Sequence, residues 1–216
     1  MSLKSIIYFS SLFAVGANFF VVPDALAIDS NRLLQNKAVE SDASPRYGTY
    51  QGDLTAMIPP VSPTTVNLVK QFEGFSSRAY IDTSGLPVIG YGQSKINGRK
   101  VRMGQYITQA QAEVALKQEL YHIQKLVLAH VMVDLNHNQL GALTSLVYNS
   151  GLRILKKSTL IRKLNSGNYI GAANEFVRWN KANRGGRLVV FSGLTRRRLA
   201  EQKLFMTSDE RIIVHS

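Results

Sequence analysis

The sequence predicts an α+β fold in which one helix, a small antiparallel sheet and a larger set of helices follow one another along the chain. Three observations carry that reading. Apolar residues recur at helical spacing in separate stretches on both sides of one glycine- and proline-punctuated segment, Arg78 to Val101. That segment holds short β-type fragments, too few to stand without helices to lean on. The elements are segregated rather than alternating, and no repeat of 20 to 50 residues is present.

Each element has its own signal. Ser62-Pro63 opens the first helix, with Ser as N-cap and Pro in the first turn; Val66, Val69 and Phe72 form its apolar stripe, and Glu73-Gly74 closes it. In the sheet segment, Ala79-Tyr-Ile81, Val88-Ile89 and Tyr91 are the strand fragments, and Asn97-Gly98 is a hairpin turn. Thr108-Gln-Ala-Gln111 has the form of a capping box and starts a long helix to about His130, with Leu116, Leu120, Ile123 and Val127 on one face. Gln139 to Asn149 is more apolar and is expected to be central. Ser158 to Leu164, Tyr169 to Trp179 and Leu194 to Phe205 complete the helices.

The chain has 216 residues, 45% apolar and 19% charged, a globular balance. It has no cysteine, which excludes disulfides, thiolate zinc sites and a cysteine nucleophile. Residues 1–27 have the form of a secretory signal peptide: Lys4, a 17-residue mostly apolar run from Ile6 to Val22, and Ala25-Leu26-Ala27 as the cleavage site. The same run, residues 6–22, reads alternatively as an uncleaved inner-membrane anchor. Either way the remainder is exported, to the periplasm or the cell exterior. Residues 28–60 lack periodicity and read as a flexible linker, leaving 61–216 as the folded domain. The leader is neutral and the linker has three basic and four acidic residues, so the net +12 of the chain becomes +13 from Val61 onward. Such a charge attracts anionic partners.

Several chemistries find no support. His122, His130, His137 and His215 lack metal-ligand spacing, Gly90-Tyr-Gly92 lacks the third glycine of a dinucleotide loop, and no G-x-S-x-G elbow occurs. No cofactor or metal is indicated, and no nucleic-acid-binding motif accompanies the positive charge. The folded part has only nine acidic residues, and two of them, Glu73 and Asp82, bracket the helix-to-sheet transition. Across a cleft between a helical and a sheet lobe, two carboxyl groups can cleave a glycosidic bond. One gives a proton to the leaving oxygen, and the other orients water or stabilises the oxocarbenium-like state. A helix-end Glu and a turn Asp without chemistry is the competing reading. Trp179 and Tyr91 read either as core residues or as sugar-stacking aromatics.

Glu73-Gly-Phe-Ser-Ser-Arg-Ala-Tyr-Ile-Asp82, Gly85 and Ile89-Gly-Tyr-Gly92 resemble the active-site segment of the phage-type lysozymes, the endolysins of glycoside hydrolase family 24. The likeness continues, in order, through Ile107–Glu113, Asn138–Asn149, Ser158–Leu160, Leu164–Gly167, Phe176–Trp179 and Gly193–Glu201, covering about Val61 to Phe205. It implies a lysozyme-like fold: a small antiparallel sheet lobe and a larger helical lobe joined by a long helix. It implies cleavage of the β-1,4 bond between N-acetylmuramic acid and N-acetylglucosamine, with Glu73 as general acid and Asp82 positioning water. Tyr91, Gln93, Val88 and Arg197 are the expected substrate-side residues; Arg196-Arg-Arg198 reads either as a cleft border with one arginine facing Glu73 or as a solvated helix face. The partner is the glycan strand of peptidoglycan, met by a monomer, with an envelope-assembly partner as a further expectation.

Two positions depart from the family pattern. Val88 stands where the family has Thr, and Gln93 where it has His. Valine keeps the shape but has neither donor nor acceptor for a catalytic water. Losing one such bond costs about 10²–10³ in rate. Thr83 or Ser84 is then a candidate substitute hydroxyl. Otherwise the reaction proceeds with weaker water activation, closing its product intramolecularly as transglycosylases do, or the scaffold binds the wall with little turnover.

Overall fold

The computed structural model describes residues 58–209 and the backbone of 212–213. The leader, most of the linker and His215 lie outside the described residues. The elements run in the expected order and form an α+β fold. Helix α1 (Pro63–Glu73) begins where Ser62 Oγ accepts from Thr65 N at 3.2 Å and ends at Gly74, whose φ of 70° halts the helix. Glu73 is therefore its last residue.

Strands β1 (Ser76–Ile81) and β2 (Pro87–Gly90) pair antiparallel, with Tyr80 opposite Val88 and Ile81 opposite Pro87. A separate ribbon, β3 (Lys95–Ile96) and β4 (Arg99–Lys100), turns through Asn97 and Gly98, both at positive φ, as the Asn-Gly signal demands. The expected single small sheet is thus two ribbons. They seat on the long helix α2 (Gln109–Leu128), whose capping box is formed by Thr108 and Gln111. The seat is tight: a Cβ on Gly90 would stand 2.9 Å from Ala112 Cβ.

After the short strand β5 (Leu135–Asn136), helix α3 (His137–Ser150) starts from the capping box of Asn136 and Gln139. Its residues Leu140 to Tyr148 are all buried, so it is the central helix, as its apolar run predicts. Helix α1 crosses it at Gly141, where a Cβ would fall 2.1 Å from Thr65 Oγ1.

Helices α4 (Arg153–Lys157), α5 (Thr159–Asn165) and α6 (Tyr169–Ala173) wrap the other side. The helix expected over Tyr169 to Trp179 breaks at Asn174 and finishes as a 3₁₀ turn, Phe176–Trp179. Next comes a hairpin, β6 (Lys181–Arg184) and β7 (Arg187–Val190), around Gly185-Gly186. Helix α7 (Ser192–Met206) then packs along α3, and strand β8 (Ile212–Ile213) pairs with β5. One core joins the lobes: Val69, Ile89, Leu116, Leu120, Leu143, Leu146 and Phe205 belong to the same cluster. Among the described residues no helix is long and apolar enough to cross a membrane.

Candidate active site

The end of α1 is an unfavourable place for a lone carboxylate, because the helix macrodipole is negative there. Glu73 is not alone. Arg197 Nη1 donates to its Oε1 at 2.5 Å, and the Arg197 guanidinium, only 3% exposed, also lies over the ring of Phe72. The Glu73 side chain keeps 20% exposure.

Arg197 is the first link of a chain that continues inward. Its Nε donates to Glu201 Oε1 at 3.1 Å, which also accepts from Ser145 Oγ at 2.7 Å. Arg198 Nε faces Glu201 Oε2 at 2.9 Å, while its two other nitrogens donate to Ser150 Oγ and Asn149 Oδ1. Arg197, Arg198 and Glu201 are all buried. Together with Glu73 they make two positive and two negative groups, so the interior holds no net charge. Burial alone would lower the Arg197 pKa, but the charges of Glu73 and Glu201 raise it above its ordinary value. Sequence reading set one arginine of Arg196-Arg-Arg198 toward Glu73 without choosing among the three, and it overlooked Glu201. Its signal was the i, i+3 and i, i+4 spacing of Arg198 and Arg197 to Glu201 on one helix.

Asp82 lies just beyond the end of β1. Its Oδ1 accepts from Ser84 N at 2.9 Å, Ser84 Oγ at 2.7 Å and Leu86 N at 2.9 Å, which fixes the carboxylate over its own turn. Oδ2 takes part in none of these bonds. The half-buried Tyr80 stands two residues earlier. Burial, then the charge of Glu73, then that of Asp82, raise the pKa of its phenol. One phenol thus lies within electrostatic reach of both carboxylates. A cleft of about 290 Å³ adjoins the Glu73–Arg197 pair, lined by Gln71, Phe72, Asn149, Leu194, Arg196 and Arg197.

A third carboxyl enters the same neighbourhood. Glu119 of α2 falls on the stripe of Leu116 and Ile123, and burial, reinforced by the charge of Glu73, pushes its pKa up to about 7. Tyr148 of α3 donates to Tyr91 O at 3.0 Å, and its pKa is pushed well up by burial and by Glu119. Glu119 went unnoticed in the sequence reading; its signal was a carboxylate at a core position of an amphipathic helix. The folded carboxyl holds its proton to about pH 7, whereas the unfolded chain releases it near the ordinary value of 4.5. Its proton therefore favours the folded state at low pH, and that contribution disappears as pH rises through 7, an effect on the order of 3 kcal/mol. Glu119→Gln is expected to flatten the fall in stability between about pH 5 and 8, read from thermal melts of variant and wild type. Equal pH dependence in the two proteins would contradict the assignment.

The four residues expected on the substrate side are all buried. Val88 is 1% exposed and stands directly opposite Tyr80 across the β1–β2 pair. Gln93 Oε1 accepts from Tyr91 N at 2.7 Å, and its Nε2 donates to Ala112 O, so it ties the sheet to α2. The ring of Tyr91 packs against Phe75 at 5.6 Å, with its hydroxyl accepting from Gln109. Arg197 serves the buried ion network. Trp179 is half-buried against the core. Among the described residues, no group of three or more His, Cys, Asp or Glu is placed to hold a metal.

Comparison with known proteins accords with this geometry. The phage lysozyme family model matches residues 70–201, a stretch that encloses Glu73, Asp82 and the whole buried network. The endolysin of Acyrthosiphon pisum secondary endosymbiont phage 1 is 37% identical over 145 residues, covering 67% of this chain and 97% of that one. Among solved structures, the endolysin from Escherichia coli O157:H7 phage FAHEc1 is 36% identical, with a TM-score of 0.64 over 68% of this chain and 92% of that one. The muramidase domain of SpmX from Asticaccaulis excentricus is 32% identical, with a TM-score of 0.64 over 68% of this chain and 98% of that one. The lysozyme-like fold expected from the sequence is the fold found, and the chain belongs to the phage lysozyme family, as a glycoside hydrolase.

Proposed function

We propose that this enzyme cleaves the β-1,4 bond between N-acetylmuramic acid and N-acetylglucosamine in peptidoglycan, with Glu73 as proton donor and Asp82 as the carboxylate that orients water. The observation that carries the reading is the phage lysozyme family match over residues 70–201, a stretch that contains both Glu73 at the end of α1 and Asp82 just beyond the end of β1. Arg197 uses Oε1 of Glu73, so the donated proton sits on Oε2 and passes to the leaving glycosidic oxygen as the bond to C1 breaks. Asp82 Oδ2, outside the three bonds that fix Oδ1, accepts a hydrogen bond from water, which attacks C1 and yields its proton to the carboxylate. The leader delivers the enzyme beyond the inner membrane, and its +13 domain concentrates it on an anionic wall. Its role is wall lysis or local remodelling of the wall.

Val88 supports a second reading of the final step. With a valine opposite Tyr80, and Ser84 Oγ already donating to Asp82, the water is held by fewer groups. Ring closure within the product then competes with hydrolysis. Mass analysis of digested peptidoglycan separates the outcomes: hydrolysis leaves reducing N-acetylmuramic acid ends, and closure leaves anhydro ends. Val88→Thr adds a hydroxyl beside Tyr80 and is expected to raise the hydrolytic rate by on the order of tenfold or more. No rise would show that Val88 is no handicap, and products with free N-acetylglucosamine ends would refute the assigned bond.

A further inference from the structure

The β6–β7 hairpin carries a charge arrangement that its own stability does not explain. Arg184 and Arg187 are directly opposed across the ladder, on either side of Gly185-Gly186. Both glycines have positive φ, 59° and 84°, so the turn is the tight two-residue kind that holds its flanking residues in register. Directly opposed residues project from the same face with Cβ atoms about 5 Å apart, and like charges in that position repel. Both side chains are exposed.

Their face is informative. Alternation puts Ala182 and Val189, a second directly opposed pair, on the same side of the ribbon, and both are half-buried. Lys181, Asn183, Leu188 and Val190 occupy the opposite, exposed side. The two arginines therefore extend the side of the hairpin that turns toward the body of the protein. The hairpin also joins the cleft directly. Phe191 N donates to Asn180 O at its base, and the chain passes at once into Gly193 and Leu194, which line the same cleft as Arg197, the partner of Glu73.

Two guanidinium groups on directly opposed residues, on a hairpin that leads into that cleft, suit a carboxylate, which an arginine pair can hold by parallel N–H···O bonds. Muramic acid residues carry peptide stems with free carboxylates, so such groups stand beside the cut bond. We propose that the β6–β7 hairpin is a clamp for the carboxylates of the peptide stems, through Arg184 and Arg187. The proposal rests on the muramidase reading for the identity of the wall substrate.

The test compares wild type with the Arg184→Gln/Arg187→Gln double variant on two substrates. One is native peptidoglycan, and the other is the same material with its stem carboxylates amidated by carbodiimide and methylamine. On native material the variant is expected to lose about tenfold in kcat/KM, mainly through KM and most at low salt. On amidated material the two proteins should agree within about twofold. Arg184→Lys/Arg187→Lys, which keeps the charge, should fall between them. Equal performance on native peptidoglycan, or a loss that persists after amidation, overturns the clamp; the persistent loss points to another anionic wall polymer. Co-sedimentation of both proteins with the two wall preparations reads the hairpin independently of turnover. A wild type that binds stems through the arginines but cuts nothing therefore refutes the muramidase reading alone.

Discussion

Glu73→Gln is expected to leave peptidoglycan intact, with turnover down by about 10³-fold or more, the scale of losing a general acid together with its charge. The substitution keeps the side-chain volume and an oxygen for Arg197 Nη1, so the local contact survives. What it removes is an acidic proton. A Gln amide can donate a hydrogen bond but cannot protonate a leaving alkoxide. Dye release from purified peptidoglycan measures the loss, and a thermal melt of the same sample shows whether the fold persists. Turnover within tenfold of wild type, in a folded sample, would remove Glu73 from the chemistry.

Glu201→Gln is expected to leave the site residues in place chemically but to destabilise the protein by about 3–5 kcal/mol, the usual result of deleting one member of a buried ion network. Glu201 is fully buried and takes Arg197, Arg198 and Ser145 together. Without its charge, two adjacent guanidinium groups share the interior with only Glu73, itself partly exposed. For a domain of this size the corresponding drop in Tm is on the order of 10 °C. Activity should also suffer, because Arg197 is held toward Glu73 from behind by Glu201. Differential scanning calorimetry decides it: a Tm within 2 °C of wild type means the network is not what holds α7 to α3.

The helix starts were legible because caps are local chemistry. Ser62, Thr108 and Ser158 each do in the structure what a short polar side chain does before an apolar stripe. The Asn97-Gly98 turn was legible for the same reason. The β6–β7 hairpin was not, although Gly185-Gly186 marks it: it is flanked by Arg184 and Arg187 rather than by an alternating apolar pattern, and its outward residues Leu188 and Val190 are apolar. The break at Asn174 also escaped notice, since one helical period runs through both pieces. Glu73 and Asp82 could be singled out because carboxylates are scarce in a basic chain. Glu119 and Glu201 offered only spacing, on an apolar stripe and beside two arginines of one helix; what lies against them after folding is what distinguishes them. The depth of Val88, Tyr91, Gln93 and Arg197 was hidden for the same reason.

The crossing at Gly141 ties the chemistry to a position that touches no sugar. A methyl group there would press on Thr65 and lever the whole of α1 away from α3. Because Glu73, the proposed proton donor, rides at the far tip of that lever, a displacement of about 1 Å is expected to cost roughly 10²-fold in rate. The smallest side chain in the protein thus acts as the fulcrum on which the aim of its acid depends.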